Sequence, residues 1–244
     1  MSKIIAVTSG KGGAGKSTCS IGLALALLKQ GKKVLLIDLD EGMRCLDMLL
    51  GLSENLLFDL SDAVLGRELD SCVLNSQKHL GLSLLAAPSE KGLITHEALK
   101  AFLENLLNSE YDTVIADLPA GSDKALYAAF PTSTEFICVS NPNPVSVRDA
   151  AVIGKLLNQI GRNGKLLINK FEPYFIKNPV FKNIDEIIDQ SGLMLVGIVP
   201  LCEKLSLAFL NGKFPKRGGS SKAFDRIVKR LYDKAVPLPK LKKI

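Results

Sequence analysis

The stretch Ser9–Thr18, SGKGGAGKST, constrains this chain more than any other. It follows the apolar run Ile4-Ile5-Ala6-Val7 and precedes a long apolar-periodic segment, so it reads as strand, glycine-rich turn, helix. Over Gly10–Ser17 it satisfies G-x-x-x-x-G-K-[ST]. Gly10, Gly12, Gly13 and Gly15 put no side chains in the way, so the backbone N–H groups of the turn can close around phosphate oxygens. The helix that begins near Lys16 adds its positive N-terminal end. In such a loop the lysine, here Lys16, reaches the β- and γ-phosphates, and the next hydroxyl, here Ser17, binds Mg²⁺. Gly12, Gly13, Ala14, Gly15, Lys16, Ser17 and Thr18 are therefore the candidate contacts to a nucleoside triphosphate.

Apolar runs alternate with helical patterns along the rest of the chain. Strands are expected at Ile4–Thr8, Val34–Asp38, Leu82–Ala86, Thr113–Asp117, Glu135–Ser140, Leu166–Asn169 and Leu195–Val199. They are nearly continuous in Val, Ile and Leu, as in strands covered on both faces. Helices are expected at Lys16–Gln30, His96–Asn108, Val145–Gln159, Ile184–Ser191 and Leu205–Asn211. This order predicts an α/β fold: a doubly wound, mostly parallel sheet flanked by helices, with ligands at the carboxyl ends of the strands. A length of 244 residues suits one domain over 1–244 with a short basic tail at 236–244. The joints Pro142–Pro144 and Gly218-Gly219 read as ordinary loops.

At 47% hydrophobic and 23% charged residues the composition is globular rather than disordered. No apolar run is long enough to cross a bilayer, and the N-terminus enters a strand without a signal pattern, so the expected location is cytoplasmic. The five cysteines, at 19, 45, 72, 138 and 202, are scattered with no C-x-x-C, which argues against a disulfide frame, a zinc site or a redox motif. The net charge is +6, and eight basic residues between Lys213 and Lys234 face only Asp225 and Asp233. Such a flank suits an anionic partner, lipid or nucleic acid, and equally a solvated helix face.

A phosphate loop needs one lysine, yet this one has a second, Lys11, in its variable part. K-G-G-x-G-K-[ST]-T, here Lys11–Thr18, resembles the deviant Walker A motif of the MinD/ParA ATPases. The resemblance implies that Lys11 crosses a dimer interface to the phosphates of the partner subunit's ATP, so that ATP-bound chains pair as a homodimer. A cation supplied in trans would meet the negative charge that develops in phosphoryl transfer. Taken alone, Lys11 also fits an exposed loop lysine without that role.

Two strand ends carry carboxylates. IDLDEGMRCLD places Asp38 and Asp40 beside the phosphate loop, where they suit Mg²⁺ and water handling, or turn formation. YDTVIADLPAG ends a strand in Asp117, placed to hold Mg²⁺ directly or through water. By resemblance these segments are switch I and switch II. Asp40 matches the aspartate that positions the attacking water, and Asp38 the one supporting the metal's water shell. Lys11, Lys16 and Asp40 are then the catalytic candidates, with Ser17, Asp38 and Asp117 the metal candidates. Leu118 departs from the family's D-S/T-P-A-G by removing a hydroxyl.

The resemblance extends over almost the whole chain. GMRCLDMLLGL is similar to the family's G-L-R-N-L-D, and NPNPVSVRDAAVIGKLL to the segment leading into its dimer-side helix. LLINKFEP resembles a strand ending in Asn-Arg, which makes Asn169 the adenine-reading amide, with Lys170 in place of arginine. Without the resemblance Asn169 is also a strand-end turn residue. Pro200 opens the segment expected to wall the purine.

The match is strongest to MinD, and implies a slow, ATP-dependent dimerising switch in spatial organisation or cell-division site placement, read or activated by a protein partner. A ParA-type DNA-partitioning ATPase using the basic C-terminal surface is one alternative, and a non-hydrolysing nucleotide-binding scaffold another. MinD proteins typically end in a basic amphipathic helix that inserts into the membrane. Lys222–Lys234 has Phe224, Ile227, Val228 and Leu231 on one face, which fits such a helix or a last helix docked on the sheet. VPLPKLKKI is too short for another, so the anchor is expected to be absent or reduced, with contact to the inner face of the cell membrane left open.

Overall fold

In strand β1 (Lys3–Thr8) alternate side chains go to opposite sides: Ile4 and Ala6 enter one apolar core, Ile5 and Val7 another. The same division runs through β2 (Val34–Asp38), with Leu35 and Ile37 on the first side and Val34 and Leu36 on the second. Strands buried on both faces need helices on both faces, which is why these segments are apolar throughout. The computed structural model describes residues 1–172, 174–177, 180–203, 218–232 and 234–238.

After β1 come α1 (Lys16–Leu28), β2, the short helices α2 (Leu46–Leu50), α3 (Leu60–Val64) and α4 (Leu69–Cys72), then β3 (Leu74–Asn75) and β4 (Leu82–Leu85). Next are α5 (His96–Leu106), β5 (Thr113–Asp117), α6 (Lys124–Ala129), β6 (Glu135–Ser140), α7 (Pro144–Gln159) and β7 (Gly164–Phe171). The last described elements are α8 (Tyr174–Lys177), α9 (Ile184–Ser191), β8 (Met194–Pro200) and α10 (Gly219–Leu231). The strands form one sheet in the order β3-β4-β2-β5-β1-β6-β7-β8, parallel except for the two-residue β3. β1 lies between β5 and β6, so the loop leaving its carboxyl end emerges at mid-sheet.

The expected doubly wound sheet is present, and every predicted strand falls on an observed one. The corrections are local. Pro144 is the first residue of α7, capped by the Asn143 side chain on Ser146 N at 2.9 Å, and Gly219 is the first residue of α10, so both supposed loop joints start helices. The expected helix Leu205–Asn211, the basic residues Lys213, Lys216 and Arg217, and tail residues 239–244 lie outside the described residues. The apolar face of α10 (Ala223, Phe224, Ile227, Val228, Leu231) is buried in the core shared with α1 and β8. Between the two readings of that helix, the structure shows the docked one.

Candidate functional site: the phosphate loop and its two carboxylates

The loop from Gly10 to Gly15 bends back on itself with Gly13 at φ 82° and Gly15 at φ 92°. Gly15 is the cap of α1 and supplies no side chain, so the first N–H groups of that helix are left for a ligand. A side chain at Gly12 would meet nothing within 4 Å, whereas one at Gly15 would lie 2.3 Å from Asn169 Nδ2. Gly10 is equally pressed, against the backbone of Asp149 on α7 at 2.6 Å. The loop is thus open on its upper side and packed from below. Lys16 and Ala14 are buried, Ser17 and Thr18 half-buried, and Lys11 exposed.

The carboxylates meet because β2 pairs with β5 in a register that sets Asp38 beside Asp117. Asp117, 2% exposed, accepts from the Ser17 and Ser20 hydroxyls, the latter at 2.9 Å. Burial, reinforced by the neighbouring Asp38, pushes its pKa up to about 7, against the pull of those hydroxyls and of Lys16. Asp38 is also raised by burial, although three backbone N–H groups oppose the shift. Its Oδ1 accepts from Asp40 N at 3.0 Å, and its Oδ2 from Cys45 N at 3.0 Å and Leu46 N at 3.1 Å. Asp38 therefore folds residues 39–46 over the site.

Backbone bonds tie the three strand ends together. Leu39 N donates to Asp117 O at 2.9 Å, Leu118 N to Val7 O at 3.0 Å and Gly121 N to Ser9 O at 3.0 Å. Glu41 fastens the next loop, accepting from Gly92 N at 2.6 Å and Ile94 N at 3.2 Å. Asp40 is half-buried and lines an open cavity of about 250 Å³ between this segment and α6.

A hydroxyl and a carboxylate, both hard oxygen donors, with the carboxylate buried and short of positive charge, fit Mg²⁺. An open glycine cradle over a helix N-terminus fits phosphate. A family model described as NUBPL iron-transfer P-loop NTPase, of the ParA group, matches residues 1–232. The septum site-determining protein MinD of Synechocystis is 34% identical over 97% of this chain and 92% of its own. The chain belongs to the MinD/ParA family of P-loop ATPases. The solved MinD of Aquifex aeolicus is similar at a TM-score of 0.86 and 31% identity, covering 98% of this chain and all of that one. MinD in the A. aeolicus MinC:MinD complex gives a TM-score of 0.87 at 31% identity, with 98% and 99% coverage.

Within this MinD/ParA chain, Asn169 lies under the loop, 5% exposed, donating from Nδ2 to Ala14 O at 2.9 Å. The adjoining Lys170 has a left-handed backbone, φ 54°, and its Nζ reaches Gly13 O at 3.0 Å. Pro200 ends β8, half-buried. Leu118, the departure in switch II, is 1% exposed within the core of the α5–α6 side, which accounts for an apolar residue at that position. Ser20, Glu41, Cys45 and Tyr127 were not singled out as site residues from the sequence. Tyr127 on α6 pairs with Thr8 at the end of β1 and donates to Gly121 O in switch II at 3.0 Å. Ser20 carried a weak signal, lying one helical turn beyond Lys16; the others carried none.

Proposed function

We propose that the chain is a MinD-like switch: ATP closes it into a homodimer, hydrolysis reopens it, and a protein partner reads the closed state in placing the division site. The observation that carries this is Lys11. It is exposed at the tip of a loop whose other lysine is buried, and its ammonium has no hydrogen bond or ion pair among the described residues. An uncommitted cation at the rim of a phosphate cradle is free to meet the triphosphate of a second copy. The solved MinC:MinD complex shows a MinD engaging a protein, which supports a protein partner here.

In this reading the Gly12–Gly15 backbone and Lys16 hold the phosphates, with Thr18 beside them. Ser17 and Asp117 hold Mg²⁺, and Asp38 supports them by holding switch I in place. The bound cation would neutralise charge on the phosphate oxygens. Asn169, with the amide atoms that Ala14 does not use, reads adenine, and Pro200 begins the base wall. Asp40 orients water for attack on the γ-phosphate, while Lys16 and the second copy's Lys11 meet the developing charge. The whole chain works as one ATPase domain. Iron transfer is not part of the reading, because Cys19, Cys72 and Cys138 are buried on separate elements. No helix among the described residues is long and apolar enough to cross a membrane. The exposed Lys222, Arg226 and Lys229 of α10 suit peripheral contact with an anionic surface.

Mass measurements in solution with ADP, and with a non-hydrolysable ATP analogue plus Mg²⁺, test this. A dimer is expected with the analogue only. Lys11→Ala should still bind nucleotide but remain monomeric, with turnover reduced on the order of 100-fold. A wild-type monomer with its site filled, or an unchanged Lys11→Ala dimer, would refute the switch.

A further inference from the structure

Cys45 sits at the end of switch I, at a position where the family pattern has asparagine, and its Sγ lies 3.3 Å from Ser17 Oγ. The residue is gripped at two points. Its backbone N–H donates to Asp38 Oδ2 at 3.0 Å, and its half-buried thiol donates to the Ser17 oxygen. A serine hydroxyl has one proton and two lone pairs. The Ser17 proton goes to Asp117, and the thiol proton takes one of the lone pairs.

That oxygen is the one assigned above to Mg²⁺. With a divalent cation on it, Ser17 becomes a weaker acceptor and the S–H dipole faces positive charge. A neutral thiol is a poor ligand for a hard cation, so it does not exchange the lost contact for a place in the metal's shell. We propose that Cys45 is a positioning residue that couples metal to switch I: its thiol holds the segment on Ser17 when no metal is bound, and metal on Ser17 releases it. Metal occupancy then sets whether the Cys45 end of residues 39–46, otherwise held by Asp38, is also tied to the phosphate loop, and the thiol competes with metal binding. The inference rests on the nucleotide and Mg²⁺ site of the preceding reading.

Alkylation of the wild-type protein with N-ethylmaleimide, followed at each cysteine by peptide mass, tests the release directly. With ADP bound, Mg²⁺ should raise the Cys45 rate several-fold over ADP with a chelator, while Cys202, half-buried beyond β8, keeps its rate. A Mg²⁺ titration read by a fluorescent ADP analogue tests the competition. Cys45→Ala should lower the half-saturating Mg²⁺ several-fold, and Cys45→Ser, which restores an O–H donor, should return it toward wild type. A Cys45 rate indifferent to Mg²⁺, or one midpoint shared by all three proteins, overturns the coupling. Failure of the wild type to bind the ADP analogue overturns the site reading together with it. Normal ADP and Mg²⁺ binding with an unresponsive Cys45 overturns this inference alone.

Discussion

Asp117, the carboxylate proposed to hold Mg²⁺, is kept in the fold almost without solvent. Its carboxylate is 2% exposed, lies beside Asp38 in strand register, and is raised from the ordinary 3.8 to about 7 chiefly by burial. The native state therefore binds more protons than the unfolded chain between those two values. Stability from this group is greatest below the lower value and declines as pH rises through the window. Above it the ionised carboxylate is a net cost. Asp117→Asn keeps the shape and removes the charge, so without metal it should be more stable than wild type at pH 8 by about 4 kcal/mol. At pH 4 the two should be nearly equal. Urea unfolding at both pH values in chelator measures the difference, and a gap that does not widen with pH would disprove the assignment. The variant should also lose the Mg²⁺ dependence of nucleotide binding.

Helix α1 carries the loop's anion-facing end, and one close approach sets how near it lies to α10. Gly22, in mid-helix, meets the Phe224 ring of α10, which would stand 2.4 Å from an added Cβ. Alanine is the better helix former by about 1 kcal/mol, but overpacking costs about 1–3 kcal/mol, so Gly22→Ala should destabilise overall. Phe224→Leu, which shortens the ring, should be less damaging in the Gly22→Ala background than alone; additive losses in thermal melts would show that the contact is not the cause. Such contacts mark the limit of reading the chain in one dimension. β1, β2 and β5 were legible because central parallel strands are apolar end to end. The helices α2, α3 and α4, at four or five residues each, are too short to show a period. Pro142–Pro144 reads in sequence as a proline-rich loop joint, yet proline is favoured in a helix's first turn, where Pro144 lies. The site divides in the same way. Gly12–Thr18, Asp38 and Asp117 each sit in a local strand-end pattern, whereas the bonds of Lys170 to Gly13 and Cys45 to Ser17 arise only when the sheet order brings distant loops together.

For the whole molecule, the question is how a chain of net charge +6 could meet an anionic surface. The helix with a membrane-like pattern, α10, has its apolar face committed: Phe224, Ile227, Val228 and Leu231 are each at most 3% exposed. Lipid could cover these four side chains again, but withdrawing them bares the apolar face of α1 and β8 beneath, and at about 1.5–3 kcal/mol for each side chain's worth of surface that costs roughly 6–12 kcal/mol. The total stability of a domain is about 5–15 kcal/mol, so insertion of α10 into a bilayer would compete with folding itself. Arg230 adds to the anchoring, donating from Nε to Val236 O at 2.7 Å and from Nη1 to Val196 O at 3.0 Å on β8. What α10 can offer without unfolding is its exposed side, Lys222, Arg226 and Lys229. Contact through that side is electrostatic and decays over a Debye length of about 8 Å at physiological salt. Binding to anionic vesicles or to duplex DNA in the ATP state should therefore fall steeply between low and physiological salt, and Lys222→Glu with Lys229→Glu should weaken it to the level of a neutral surface. Amide hydrogen exchange within Gly219–Leu231 should stay as slow on vesicles as in solution. Loss of that protection on lipid, with the rest of the sheet still protected, would mean that the helix leaves the core after all and that its burial is weaker than these side chains imply.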